Sequence, residues 1–237
     1  MAYKIINTFQ HPQGSLTQGL AIYKGKFIES IELYGTSALR KISIDTGLIN
    51  MIHILPDDYI GADCTVLNNQ VYQLTMKNNT GVIYDMATFN ILSTFFYEGG
   101  GDGRGLTNNG TELIISNGSN VLSYIDLVNF KVVRTINVTH TDDKNKLELK
   151  LNTLVYVDGL IYSNIWRSFN IVCIDSKTGI VKHFIDLTTL YTPLVKEHIL
   201  NGIAYDPDKK NLFVTGINWP YIYEIDLRLK KSICRII

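Results

Sequence analysis

Polar residues recur in five short segments of similar make-up. They are Gln18 in Leu16–Leu20, Asp63 in Ile60–Thr65, Asp102 and Arg104 in Gly101–Thr107, Asn152 in Leu149–Leu154, and Asn201 in Ile199–Ile203. A carboxylate can take a proton and return it, a guanidinium can face developing negative charge, and amides orient a ligand. Other chemical signatures are missing from the sequence. The run Gly99–Gly105 lacks the Lys-Ser/Thr of a phosphate loop and leads into no helical pattern. There is no Gly-x-Ser-x-Gly word. The five histidines (His11, His53, His140, His183, His198) have no metal-ligand spacing, and each reads as a solvated or strand residue. The three cysteines (Cys64, Cys173, Cys234) are scattered and form no Cys-x-x-Cys, which argues against a disulfide framework or a zinc knuckle. No metal and no other cofactor is expected.

The elements that must carry these residues are strands. Helical periodicity is scarce; only Asp186–Glu197 offers a short helix, and Pro193 interrupts it. Short runs rich in Ile, Val, Tyr, Leu and Phe alternate with Gly, Asn and Asp turns, as in Lys26–Ser30, Gln70–Thr75, Glu112–Ser116, Leu160–Asn164 and Asn211–Thr215. A hydrophobic-Asp word returns at Asp45, Asp85, Asp126, Asp175 and Asp226, with spacings of 40, 41, 49 and 51 residues. Four strands per repeat at that period predict an all-β five-bladed β-propeller with four antiparallel strands per blade. The blades are expected near 17–57, 58–98, 99–140, 149–190 and 199–237, in one domain spanning 1–237. Tyr3–Phe9 and Ser232–Ile237 are expected to close the ring side by side. In such a ring the loops leading into the innermost strands share one face, so the polar residues above converge on one mouth of the central channel. That mouth is the natural ligand site; the alternative is that these groups bond one another around a water-filled axis.

Composition bounds the rest. The chain has 237 residues, 46% hydrophobic and 19% charged, with Lys+Arg and Asp+Glu both 22 and a net charge of zero. A chain of this size buries roughly 70 to 75% of its unfolded surface and needs no staple. Zero net charge argues against nucleic acid and anionic membranes as partners, and no apolar run reaches the length of a span. The opening residues lack the apolar core of a signal peptide, so the expected compartment is the cytoplasm or, for a mature chain, outside the cell. A monomer is expected. Asn-x-Ser/Thr sequons at Asn78, Asn109, Asn117 and Asn137 fall in turn-like segments and matter only in a secretory compartment.

On its strand and loop words the chain resembles the plant and bacterial type of glutaminyl-peptide cyclotransferase. Matching words include Thr17-Gln18-Gly19-Leu20, Val71-Tyr72-Gln73-Leu74-Thr75, Gly105-Leu106-Thr107, Gly159–Trp166, Leu200–Asp206 and Val214-Thr215-Gly216, in order along the chain. The resemblance implies a metal-free propeller that closes an N-terminal glutamine of a peptide or protein into pyroglutamate and releases ammonia. It implies pocket roles for Gln18, Asn152, Trp166 and Asn201. The family's acid/base glutamate, however, falls on Ala62, and its lysine after Thr-Gly falls on Ile217. An aromatic position is Arg104, a tryptophan position is Met76, and two carboxylates after Asn152 are Thr153 and Val155. Asp63 or Asp102 is then the candidate substitute acid/base, with Arg104 supplying positive charge. Two readings stand at this point: a cyclotransferase with a relocated acid/base, or a catalytically silent propeller that binds a peptide or other small ligand at the same mouth. Trp219 reads as structural.

Overall fold

The computed structural model describes residues 2–32, 35–76, 79–98, 103–140, 148–192, 195 and 197–227. They form the expected five-bladed propeller of four-stranded antiparallel sheets. The first blade is β2 (Thr17–Tyr23), β3 (Lys26–Ile31), β4 (Ala38–Ser43) and β5 (Ile49–Ile54). The second is β6 (Ile60–Leu67), β7 (Gln70–Met76), β8 (Thr80–Asp85) and β9 (Ile91–Phe96). The third is β10 (Gly105–Asn108), β11 (Glu112–Ser116), β12 (Val121–Asp126) and β13 (Val132–Asn137). The fourth is β14 (Leu151–Val157), β15 (Leu160–Ile165), β16 (Asn170–Asp175) and β17 (Val181–Asp186). The fifth combines β18 (Leu200–Asp206), β19 (Asn211–Gly216) and β20 (Tyr221–Asp226) with β1 (Lys4–Gln10), which pairs antiparallel to β20 as the outermost strand. The other strand expected at the closure, Ser232–Ile237, lies outside the described residues.

The recurring aspartates explain themselves locally. Oδ1 of Asp85, Asp126 and Asp175 accepts the N–H groups two and three residues on, at 2.8 to 3.1 Å. Each therefore closes the turn between the third and fourth strands of its blade, as Asx turns do. Asp206 does the same after β18. Burial then grades across each blade: β18 and β19 are almost wholly buried, whereas β5 and β9 are mostly exposed. The core therefore lies between neighbouring blades, and β2, β6, β10, β14 and β18 touch in turn around the axis. At the closure Phe9, Phe27 and Phe213 pack with centroids 5.5 to 6.1 Å apart, joining the outermost strand to the first blade.

Two local expectations change. No helix forms in the described part of Asp186–Glu197; a tight turn closes there instead, with the Leu190 N–H on the Leu187 carbonyl at 2.9 Å. Asn137 ends a strand rather than occupying a turn, because it pairs with Val121. Asn78 and Cys234 lie outside the described residues.

Candidate functional site

In a regular strand neighbouring side chains point to opposite faces. Four inner strands depart from that rule at their start. Their register against the second strand slips between Thr17 and Gly19, Gly61 and Cys64, Leu151 and Leu154, and Leu200 and Ile203. Such irregularities re-aim side chains and collect beside functional sites. The residues at the slips are Gln18, Ala62 with Asp63, Asn152 with Thr153, and Asn201 with Gly202. Arg104 takes the equivalent place ahead of β10, its N–H bonded to the Ser116 carbonyl at 2.8 Å.

The amides interlock across three blades. Asn152 Nδ2 donates to Asn201 Oδ1, and Asn201 Nδ2 donates to the Thr17 carbonyl, each at 2.8 Å. Gln18, next to Thr17, is 1% exposed and its Oε1 has no partner among the described residues. A buried acceptor left unmatched costs about 1–3 kcal/mol, so Gln18 Oε1 favours a further donor. The Arg104 guanidinium lies 6.0 Å from the centre of the Trp166 ring, with its Nη1 3.7 Å from the Met76 sulfur. A cation at that distance from an indole is attracted by the ring's negative face. The two groups meet at Gly105, where an added Cβ would stand 1.9 Å from the Asn152 carbonyl oxygen. Asn152, Asn201 and Gln18 are thus joined through backbone and side chain on one side, and Arg104 and Trp166 on the other. Ala62 is fully buried in a core cluster with Leu74, Met76 and Leu106. Asp102 lies outside the described residues.

Asp63 stands where three other blades carry Gly19, Gly105 and Gly202. Its Oδ1 accepts the Cys64 N–H at 2.8 Å, and its Oδ2 accepts the N–H groups of Leu106 at 2.9 Å and Leu154 at 3.0 Å. One carboxylate therefore ties the second, third and fourth blades at the axis. Burial pushes its pKa well above the usual carboxylate range, and the three N–H groups offset only part of that. Its neighbour must be small: a Cβ on Gly19 would lie 2.3 Å from Asp63 Oδ1. Beyond this layer the opposite mouth opens into a 310 Å³ cavity walled by Thr65, Thr107, Asn108, Tyr156 and Tyr205.

A second buried polar centre escaped the sequence reading. Glu29 on β3 is fully buried, its Oε1 accepting from His11 Nε2 at 2.7 Å and from Thr17 Oγ1 at 2.8 Å. His11 Nδ1 donates to the Trp219 carbonyl at 2.7 Å, and Arg40 Nη1 stands 3.8 Å from Glu29 Oε2. His11 is therefore neither solvated nor in a strand, contrary to expectation; it is 4% exposed and clasps the N-terminal segment to the first and fifth blades. Burial raises the Glu29 pKa, but His11, Thr17 and Arg40 outweigh it and hold the group below its ordinary value. Burial lowers the His11 pKa, and the Glu29 carboxylate with the Trp219 carbonyl reverses this and holds it above. No signal along the chain marked the pair, because it exists only once β1 lies on β20. Trp219 is structural: its indole N–H donates to the His198 carbonyl at 2.8 Å, and its ring packs on Phe169, Tyr191 and Tyr223.

Among the described residues no group of three His, Cys, Asp or Glu is placed to hold a metal ion. A family model described as glutamine cyclotransferase matches residues 1–227. A glutaminyl-peptide cyclotransferase of Arabidopsis thaliana is 34% identical over 233 residues, covering 95% of this chain and 71% of that protein. The crystal structure of Myxococcus xanthus glutaminyl cyclase superposes with a TM-score of 0.82 at 28% identity, over 94% of this chain and 95% of that one. With its five blades and a match along nearly its whole length, the chain belongs to the glutamine cyclotransferase family.

Proposed function

We propose that the protein binds the N-terminal glutamine of a peptide or protein at the mouth formed by Gln18, Arg104, Asn152, Trp166 and Asn201, and has lost most of the family's rate of cyclisation. Cyclisation forms a bond from the α-amine nitrogen to the side-chain amide carbon and breaks the bond to the leaving nitrogen. A proton must leave the attacking amine and reach the departing ammonia. The open Gln18 Oε1 suits the substrate's N–H groups, and Arg104 suits the amide oxygen as negative charge grows on it. The proton relay is the missing part. The observation that carries this reading is the state of Asp63, whose oxygens are committed to three backbone N–H groups at the axis. That supports a structural part for Asp63 and leaves Asp102 as the remaining substitute for the glutamate absent at Ala62.

The test measures binding of a Gln-initiated tripeptide by calorimetry alongside ammonia release. Wild type is expected to bind saturably and release ammonia slowly. Ala62→Glu, with Ile217→Lys, is expected to raise the rate by about 10²–10⁴-fold, the usual worth of a positioned acid/base. A thermal melt accompanies it, since the new carboxylate enters the packed layer of Leu74, Met76 and Leu106. Wild-type turnover of about 1–10³ s⁻¹, the ordinary enzymatic range, overturns the reading in favour of a relocated catalyst, and its loss in Asp102→Asn identifies that catalyst. Absence of peptide binding overturns it as well.

A further inference from the structure

A cleft between the first and second blades, away from the axis, has walls that carry more positive than negative charge. It encloses 450 Å³ between the β2–β3 and β6–β7 turns, within the usual size range of small-molecule sites. Lys24, Lys26 and Lys41 line it, with Tyr23 and Asn69, and Asp85 is the single carboxylate on its wall. Both turns are fixed by left-handed residues, Lys24 at φ 46° and Asn69 at φ 59°, so the side chains start from rigid positions.

The ammonium groups are held by neutral partners. Lys41 Nζ donates to the Met86 carbonyl at 2.8 Å and lies 4.8 Å from the centre of the Phe89 ring. Lys26 Nζ donates to Ser43 Oγ at 3.2 Å, and Lys24 Nζ sits 5.0 Å from the centre of the Tyr23 ring. Among the described residues no carboxylate forms an ion pair with any of the three. Asp85 is turned to other work, its Oδ1 accepting from the N–H groups of Ala87 and Thr88 and from the Thr88 hydroxyl. Tyr23 Oη donates to Asn69 Oδ1, which leaves the Asn69 amide hydrogens to donate. Positive charge is thus concentrated in a concave site of a chain whose net charge is zero.

We propose that this cleft binds a small molecule bearing a phosphate group, with Lys24, Lys26 and the Asn69 amide on its oxygens and Lys41 as a fixed charge behind them. The cations are all lysines. An ammonium is a compact point charge suited to a tetrahedral oxyanion, whereas the guanidinium fork favours planar, two-pronged pairing. Burial lowers the Lys41 pKa and the Asp85 carboxylate offsets part of that, so an anion in the cleft would add to the offset.

Inorganic pyrophosphate is the probe, titrated by calorimetry at low ionic strength into wild type, into K24A/K26A, and into K131A/K182A, which removes equal charge from other blades. Wild type and the control are expected to bind saturably. K24A/K26A is expected to bind about tenfold more weakly, the scale of two partly exposed ion pairs. No saturable binding, or an equal loss in the control, overturns the site. Citrate binding as tightly as pyrophosphate overturns the assignment to phosphate.

Discussion

The seam between the first and last blades and the axis of the ring each bury a carboxylate, in opposite company. At the seam Glu29 meets an imidazole at 2.7 Å and a guanidinium at 3.8 Å. At the axis Asp63 meets only peptide N–H groups. Burial works against charge equally at both sites, but only the seam supplies an opposite charge. The Glu29 pKa is therefore held below its ordinary value and that of Asp63 is pushed well above. The seam is an electrostatic clasp and the axis a hydrogen-bonded tie.

The largest effect expected from this contrast follows Glu29→Ala. It strands His11 and Arg40 without a counter-charge, which typically costs about 3–5 kcal/mol. For a chain of this length that lowers Tm by roughly 10 °C in calorimetry. A cost below about 1 kcal/mol would erase the distinction between clasp and tie.

Next comes the axis. Asp63→Ala leaves buried N–H groups on Cys64, Leu106 and Leu154 without their acceptor, at about 3 kcal/mol or more in denaturant unfolding. Asp63→Asn keeps one acceptor oxygen but turns an NH2 toward the N–H that the other oxygen accepts, and is expected to cost less than the alanine variant without being neutral. Equal losses from both variants would show that the axis needs both carboxylate oxygens as acceptors.

The smallest effect is the most discriminating, because the carboxylates give pH slopes of opposite sign. Glu29 has a lowered folded pKa, so its contribution is present above the ordinary value of about 4.3 and is lost as pH falls through the folded one. His11 has a raised folded pKa, so its contribution is full below about 6.5 and is lost as pH rises through the folded value. Asp63 also has a raised folded pKa, so stability falls as pH rises from about 3.9 toward it. Measured against Asp63→Asn, wild type should lose up to about 1.4 kcal/mol per pH unit across that window. A difference that stays flat with pH would mean the axial carboxylate is ionised in the fold.

The repeats were legible because their cause is local. Asp85, Asp126 and Asp175 close their own turns, so the same word is needed in each blade whatever the rest of the chain does. Gln18, Arg104, Asn152 and Asn201 were legible as a set because they occupy like places at the starts of the inner strands, whereas Trp166, which follows β15, was marked by the family resemblance alone. The register slips were not. Alternation alone predicts that Ala62 and Asp63 face opposite ways, and gives no hint that Asp63 ties three blades. The clasp was beyond reach for a different reason. His11 finds Trp219 across 208 positions of sequence, and no periodicity carries information over that span.

Supplying the last blade with β1 also sets a timetable. Asn7 on that strand bonds Glu224 on β20, 217 positions later. At synthesis rates of roughly 5–20 residues per second, β1 waits about 10–40 s for the strand it will lie against. Blades one to four can zip from neighbouring hairpins as they emerge, while Ile5 and Ile6, still partly exposed in the finished fold, remain uncovered throughout. The ring can thus close only when β20, the last strand of the fifth blade, is available to meet β1.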